Sequence, residues 1–323
     1  MRQIPLDAIY DAARHVYKAA VRTPLVKLDL PFKNGDPQPE VYLKLESLQP
    51  IGSFKIRGAW NAVRKLTPEQ MKEGVWTVSA GNAAQGVAFA AKLAGVPCSV
   101  MVMDTAPQTK LRAIERLGAT IVKANYDECW RTVESHASNR MRGHFVHPFD
   151  DDDFIAGNAT VGLEILEDLP DVDAVVAALG GGGLLSGIGS VMRAKKPGVK
   201  VYAAEPETAA PLSLSFKRGE ASRFDAWKPS FVDGAGGKSV LTTMWPLLKE
   251  LVDDSIVMSL DEIAAAMRKT AERVHVVAEG AGGTAIAAAL SGRAGTGKVV
   301  AVVSGGNIDL SRFSELVTAH AAH

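Results

Sequence analysis

Apolar residues in this chain fall in short uninterrupted runs, each followed by a longer stretch with helical spacing. VWTVSA (75–80) leads into AAQGVAFAAKLAG (83–95), CSVMVM (98–103) into QTKLRAIERLGA (108–119), and TIVKA (120–124) follows. Later DAVVAAL (173–179) passes through four glycines into LLSGIGSVMRAKK (184–196) and KVYAAE (200–205), and KVVAVVS (298–304) closes on GGN. Apolar runs without polar alternation suit strands covered on both faces, as in a parallel sheet. The strand–helix–strand rhythm predicts an α/β fold, doubly wound. Residues 74–147 form a compact strand–helix set, predicted to be a small domain inserted in a large one made of 1–73 and 148–323. The stretch 216–239 is poorer in sheet-like pattern and is expected to loop over a site.

Composition narrows the function without naming it. The chain has 323 residues, 47% apolar and 22% charged, enough for a full core in one large domain or two smaller ones. Its 36 basic and 36 acidic side chains balance, which points away from nucleic acid, an anionic membrane or a polyionic substrate. Cys98 and Cys129 give neither a disulfide framework nor a metal-binding spacing and are expected to be reduced thiols. No run approaches the roughly 20 apolar residues of a membrane span. MRQIPLDAIYDAARHVYK at the start has no apolar leader run, so a cytoplasmic location is expected.

Three glycine-containing turns each follow a predicted strand: SAGN (79–82), GGGG (180–183) and SGGN (304–307). Ligands of open α/β sheets gather at the carboxyl ends of strands, so the three turns suggest one shared site. GGGG opening a helix offers bare backbone N–H groups to an anion. A tight turn alone would need only two glycines. The frame Gly181-x-Gly183-x-x-Ser186, with Glu205 ending the next strand, approaches a dinucleotide fingerprint but has Ser at its third position. No Walker lysine follows. A small phosphorylated ligand fits better.

GSFKIRG (52–58) sets Lys55 between Phe54 and Ile56. Such a lysine either snorkels to solvent or loses stabilisation of its charged form and becomes a neutral, nucleophilic amine. An amine nucleophile plus a phosphate cradle describes a pyridoxal phosphate (PLP) site.

ESLQPIGSFKIRGA (46–59), SAGNAAQGVA (79–88), HPFDD (147–151), GGGGLLSGI (180–188) and VVSGGNIDL (302–310) together resemble the PLP-dependent threonine dehydratase and serine racemase family of fold type II. Among its members the chain looks most like the single-domain threonine/serine or phenylserine dehydratases. The resemblance implies pyridoxal 5'-phosphate as cofactor, two doubly wound α/β domains with the active site in the cleft between them, and a homodimer. It implies that Lys55 holds PLP covalently and then acts as the base at Cα, and that Phe54 packs beside the pyridine ring. Gly180, Gly181, Gly182, Gly183 and Leu184 would donate N–H groups to the phosphate. Ser304 would bond the pyridine nitrogen and Asn82 the ring 3-oxygen. The turn Ser79, Ala80, Gly81, Asn82 and Ala83 would receive the substrate carboxylate, and Glu279 would stand near the cofactor. The implied reaction removes water from a 3-hydroxy amino acid, L-threonine or L-serine by default, giving a 2-oxo acid and ammonia.

Departures from the family pattern refine this. Ala80 stands where racemases carry a serine acid/base, which favours dehydration over racemisation. Ala83 replaces a frequent histidine, and DGAGGKS (233–239) is glycine-rich. Both suit a bulkier substrate such as threo-3-phenylserine. Glu205 and the Ala209 carbonyl match two ligands of a divalent cation site, but the third position is Pro211, so no metal is expected. About 13 residues follow Leu310, so no appended regulatory domain is expected. A non-catalytic PLP-binding protein, a β-replacement enzyme and a dinucleotide-dependent oxidoreductase are the remaining alternatives.

Overall fold

The computed structural model describes residues 2–29 and 38–319. In chain order the strands are β1 (Leu25–Lys27), β2 (Glu40–Lys44), β3 (Val75–Val78), β4 (Cys98–Met103), β5 (Thr120–Ala124), β6 (His144–Phe145), β7 (Ala174–Ala178), β8 (Lys200–Pro206), β9 (Asp254–Met258) and β10 (Lys298–Val302). They form two sheets, a six-stranded one ordered β1-β2-β10-β7-β8-β9 and a four-stranded one ordered β5-β4-β3-β6. Only the β1–β2 pair is antiparallel among the described strands; every other pairing is parallel. The fold is α/β, as the apolar runs predict.

The lack of polar alternation now has its cause. Successive strand residues point to opposite faces, and both faces of the large sheet are covered. Val175 and Ala177 of β7 join one apolar core with Val300 and Val302 of β10. Their neighbours Val176, Ala178, Val299 and Ala301 join the other. The four-stranded sheet repeats the arrangement, with Val75, Val100 and Val102 in one cluster and Trp76, Val78 and Met101 in another.

Helix Lys55–Arg64 packs on helices Asn82–Ala94 and Asp152–Asp168. Its Ile56, Trp60 and Val63 belong to the core beneath the four-stranded sheet. A buried charged network anchors it from the other side. Arg57 grips both Glu46 oxygens at 2.8 Å and both Glu164 oxygens at 2.6 and 3.0 Å, and Lys44 reaches Glu164 at 2.7 Å. The helix carrying Lys55 is therefore held between the two sheets. No helix among the described residues is long and apolar enough to cross a membrane.

Candidate active site

The three glycine-containing turns sit at the carboxyl ends of β3, β7 and β10, and hydrogen bonds join the last of them to the lysine segment. Phe54 donates its N–H to the Ser304 carbonyl at 3.0 Å, Gly306 donates to Gly52 at 2.9 Å, and Ser53 bridges Gly305. Glu279 donates its N–H to Gly305 at 3.0 Å, which brings VAEG to the same place. A cavity of about 670 Å³ opens between these segments. Phe54, Lys55, Ser79, Ala80, Gly81, Asn82, Ala83, Gly180, Gly181, Gly182, Gly183, Leu184, Glu279 and Ser304 all line it. The sequence-predicted residues thus share one enclosure, within the ~300–1,000 Å³ typical of small-molecule sites.

Lys55 is the first residue of helix Lys55–Arg64. Its Nζ donates to the Pro148 carbonyl at 2.6 Å and lies 5.3 Å from the ring centres of both Phe54 and Phe154. The side chain is half-buried on the cavity wall, and its amine is held by this carbonyl beside the two rings. Burial pulls its pKa down to about 7. The Pro148 carbonyl is aimed by its neighbour His147. The His147 Nδ1 accepts the N–H groups of Phe149 and Asp150 at 3.3 and 2.7 Å, while Nε2 lies 3.2 Å from the Val133 carbonyl as donor. Burial, with His136 alongside, pulls His147 down to about 4 and keeps it neutral. In the same HPFDD motif Asp151 caps helix Asp152–Asp168 through Phe154 N–H at 2.8 Å.

Gly182 takes φ +95°, a left-handed conformation open to glycine, and helix Gly183–Lys195 begins directly after it. The N–H groups before the first full turn have no partner within the helix. They stand on the cavity wall, as an anion cradle requires. Gly180 also lies under a loop, where an added Cβ would come within 2.9 Å of the Gly234 carbonyl.

Asn82 opens helix Asn82–Ala94 and crosses to the large sheet. Its Nδ2 donates to Glu279 at 2.7 Å, and its Oδ1 accepts from Asn307 at 2.7 Å. Burial, then the charge of Asp233, pushes Glu279 up to about 7 against the lowering bond from Asn82. Ser79 turns its hydroxyl inward to accept the Gly81 N–H at 3.1 Å.

The distal wall is apolar and aromatic, with Met101, Met103, Tyr126, Cys129, Trp130 and Val133 from the four-stranded sheet and helix Tyr126–Ser135. Burial raises the Cys129 thiol to about 11, so it stays a protonated, inert lining group. The expected loop over the site begins at Gly219 rather than 216, because helix Pro211–Arg218 continues to a left-handed Gly219. Its ends are tied by the Phe224–Lys238 backbone bond. Two contacts hold it against the opposite wall. Asp233 pairs with Lys110, and the Lys238 ammonium lies 4.2 Å from the Tyr126 ring centre and 4.4 Å from that of Trp227.

Glu205 lies apart from this cavity. Its carboxylate accepts the N–H groups of Leu212 and Ser213, each at 2.8 Å, and the Ser255 hydroxyl at 2.5 Å. Pro211 leads the helix whose first turn supplies two of these donors, so Glu205 closes that helix terminus. Burial raises its pKa to about 7. His136, His147 and Asp150 come within 4.8 Å of one another, but Asp150 already holds Arg2 and Thr243, and both His147 nitrogens are bonded.

Residues 16–305 match the pyridoxal-phosphate dependent enzyme family. The chain belongs to this family. PLP is therefore its cofactor. The residues present fit that group: a desolvated amine, a glycine loop lined with N–H groups at a helix terminus, and the buried Ser304 across the cavity. Among PLP-dependent relatives, the L-threonine ammonia-lyase of Thermotoga maritima is 41% identical over 281 residues, covering 86% of this chain and 70% of its own. The catabolic L-threonine dehydratase TdcB of Staphylococcus aureus is 36% identical over 324 residues, covering 97% and 92%. Among solved structures, the processed form of threonine deaminase isoform 2 from Solanum lycopersicum superposes with a TM-score of 0.85 at 29% identity, covering 99% of this chain and 96% of that one. Maize serine racemase gives 0.84 at 30% identity, covering 99% and 98%. The two-sheet α/β architecture is thus that of the fold type II PLP enzymes.

Sequence reasoning passed over several lining residues. Asn307 lies inside the SGGN motif but had no role. Pro148 acts through a backbone carbonyl, which no side-chain pattern signals. Tyr126, Trp130 and Trp227 reach the cavity only through tertiary folding.

Proposed function

We propose that this PLP-dependent enzyme is an ammonia-lyase that dehydrates a 3-hydroxy amino acid, L-threonine or L-serine, to a 2-oxo acid and ammonia. The observation that carries the reading is the Lys55 amine, 2.6 Å from the Pro148 carbonyl with its pKa pulled down by burial, in the same cavity as the glycine loop. The threonine ammonia-lyase and dehydratase relatives, alike over most of the chain, support the substrate class.

In this reading Lys55 would hold PLP and, once free, would remove the proton from the substrate Cα. An amine of pKa about 7 is unprotonated often enough near neutral pH to do so. Gly180, Gly181, Gly182, Gly183 and Leu184 would hold the phosphate by backbone N–H groups, and Phe54 would flank the ring. Ser304 would meet the pyridine nitrogen, Asn82 the 3-oxygen, and the turn Ser79–Ala83 the substrate carboxylate. Glu279 supports Asn82 from behind. When bound, PLP supplies the electron sink that makes the Cα proton removable. Ala80 lines the cavity without an ionisable group, at the position where the resemblance places a racemase's serine, and this supports dehydration over racemisation.

A second reading, preference for a bulky 3-hydroxy amino acid, is favoured by the distal wall of Met103, Tyr126 and Trp130, which exceeds what a methyl group can cover. We propose residues 74–147 as the small domain, because they carry the four-stranded sheet. We also propose a homodimer, on the family resemblance.

The test is 2-oxo acid release by the PLP-loaded enzyme, comparing kcat/KM for L-threonine and threo-3-phenylserine. Higher kcat/KM for threonine supports the first reading, and higher kcat/KM for phenylserine the second. Visible cofactor absorbance without 2-oxo acid from either would leave a PLP-binding protein and sink the lyase.

A further inference from the structure

We propose that Asn307 is a positioning residue that sets which end of the Asn82 carboxamide faces the cofactor. The inference rests on the reading of this cavity as the PLP site. It starts from a backbone group. The Asn307 amide lies 2.8 Å from the Ile51 carbonyl oxygen. A carbonyl can only accept, so the atom against it must be the Asn307 nitrogen. With Nδ2 placed there, its other hydrogen is directed at the Asn82 side chain 2.7 Å away and requires the oxygen of that amide. Asn82 therefore turns Oδ1 toward Asn307 and Nδ2 toward Glu279, where it donates at 2.7 Å. One hydrogen of Asn82 Nδ2 remains. Asn82 thus offers a donor to the site, and the ligand atom it selects is an acceptor oxygen.

Asn307 is itself held in place. Gly52, three residues before Lys55, has φ +71°, and a Cβ there would come within 2.6 Å of Asn307 Oδ1. The side chain lies flat against that backbone. The Asn307 N–H also bonds the Glu279 carboxylate, and Gly305 packs where a Cβ would approach Asn82 Nδ2 at 3.1 Å. The orientation of two side-chain amides from separate segments follows from one peptide carbonyl.

The test titrates apoprotein with PLP and follows the visible band of the bound cofactor. Asn307→Asp keeps the shape but sets an acceptor against two acceptors, so the Asn82 amide turns over. We expect at least tenfold weaker PLP binding and a displaced absorbance maximum. Asn307→Ala releases the amide and should weaken binding several-fold. In an Asn82→Ala background the same Asn307→Ala change should alter PLP affinity by less than twofold, because the group it acts through is gone. Equal losses in the two backgrounds would mean that Asn307 merely supports the Gly52 loop, and the proposal would fall. An Asn307→Asp protein binding PLP within twofold of wild type with an unmoved band would also overturn it. If that variant does not fold, the two-background alanine comparison decides alone. Wild-type apoprotein that shows no visible band with PLP would remove the cofactor reading and this inference together; normal wild-type binding with indifferent Asn307 variants would remove only the inference.

Discussion

Lys55 and Pro148 stand 93 residues apart in sequence, yet the lysine Nζ donates to the proline carbonyl at 2.6 Å. A carbonyl accepts from a neutral or a charged amine alike, so this bond holds the nitrogen in place through either protonation state. The flanking Phe54 and Phe154 rings attract a cation, but burial outweighs them and the pKa falls to about 7. In the proposed reading, Lys55→Ala removes both the attachment point and the base. The PLP-loaded variant should lose the visible band of the lysine-bound cofactor, and 2-oxo acid release should fall by roughly 10²–10⁴-fold or more. Full turnover by the variant would refute the assignment.

The depressed lysine also makes a prediction about stability in the apoprotein. Unfolded, the amine keeps its proton up to its ordinary pKa of 10.5; folded, it gives it up near 7. Between those values the unfolded state binds more protons, so this group makes stability rise with pH. The penalty is full below pH 7 and gone above 10.5. Lys55→Met should therefore raise the apoprotein Tm most at pH 6, with the gain shrinking toward pH 10. A gain independent of pH would show that packing, not charge, is relieved.

Arg57 shares its helix with Lys55 and is fully buried between Glu46 and Glu164. Removing one partner of a buried ion pair leaves the others uncompensated, at a cost of about 3–5 kcal/mol. Arg57→Ala should shift the chemical denaturation midpoint accordingly. Arg57→Lys should recover only part of the loss, since an ammonium cannot form the paired bonds to Glu46. Full recovery with lysine would mean that charge alone suffices.

These residues show where sequence reading succeeds and where it stops. The turns after β3, β7 and β10 were legible because glycine clusters after apolar runs have few other causes, and Lys55 because an ammonium among apolar neighbours needs a reason. Arg57 and Glu46 lie in the same motif as Lys55 but carry no local signal, because charged residues are ordinarily solvated and only the fold shows these two facing each other. The loop at 219–239 was anticipated over the site, but its partners Lys110 and Tyr126 could not be. They come from helices of the other sheet, and a pairing at such separation leaves no local pattern.

That loop should govern substrate entry. Asp233 and Lys238 join it to Lys110 and Tyr126 across the cavity mouth. Both contacts are partly exposed, so each is weak alone. Asp233→Asn with Lys238→Ala should raise KM several-fold with a smaller change in kcat, because the loop touches the entrance and Lys55 is untouched. Limited proteolysis should also cut the double variant faster within 224–238. Unchanged KM and cleavage would show that the loop is held by its own tied ends.

Ala83 is the residue through which cavity size can be tested. It lies in the first turn of helix Asn82–Ala94, buried yet on the cavity wall beside the substrate turn. A histidine there would add an imidazole to the wall of the cavity that Tyr126 and Trp130 also line. Hydrophobic pockets discriminate by about 10–200-fold per methylene-sized change. If the open wall serves a bulky substituent, Ala83→His should lower kcat/KM for threo-3-phenylserine by at least tenfold and leave L-threonine within threefold. A parallel fall for both substrates would place the histidine against the shared carboxylate position instead, and specificity would then rest on the distal wall. Trp130→Ala separates these outcomes. It enlarges the wall far from the carboxylate, so it should weaken phenylserine turnover while sparing threonine only if the indole is a true contact.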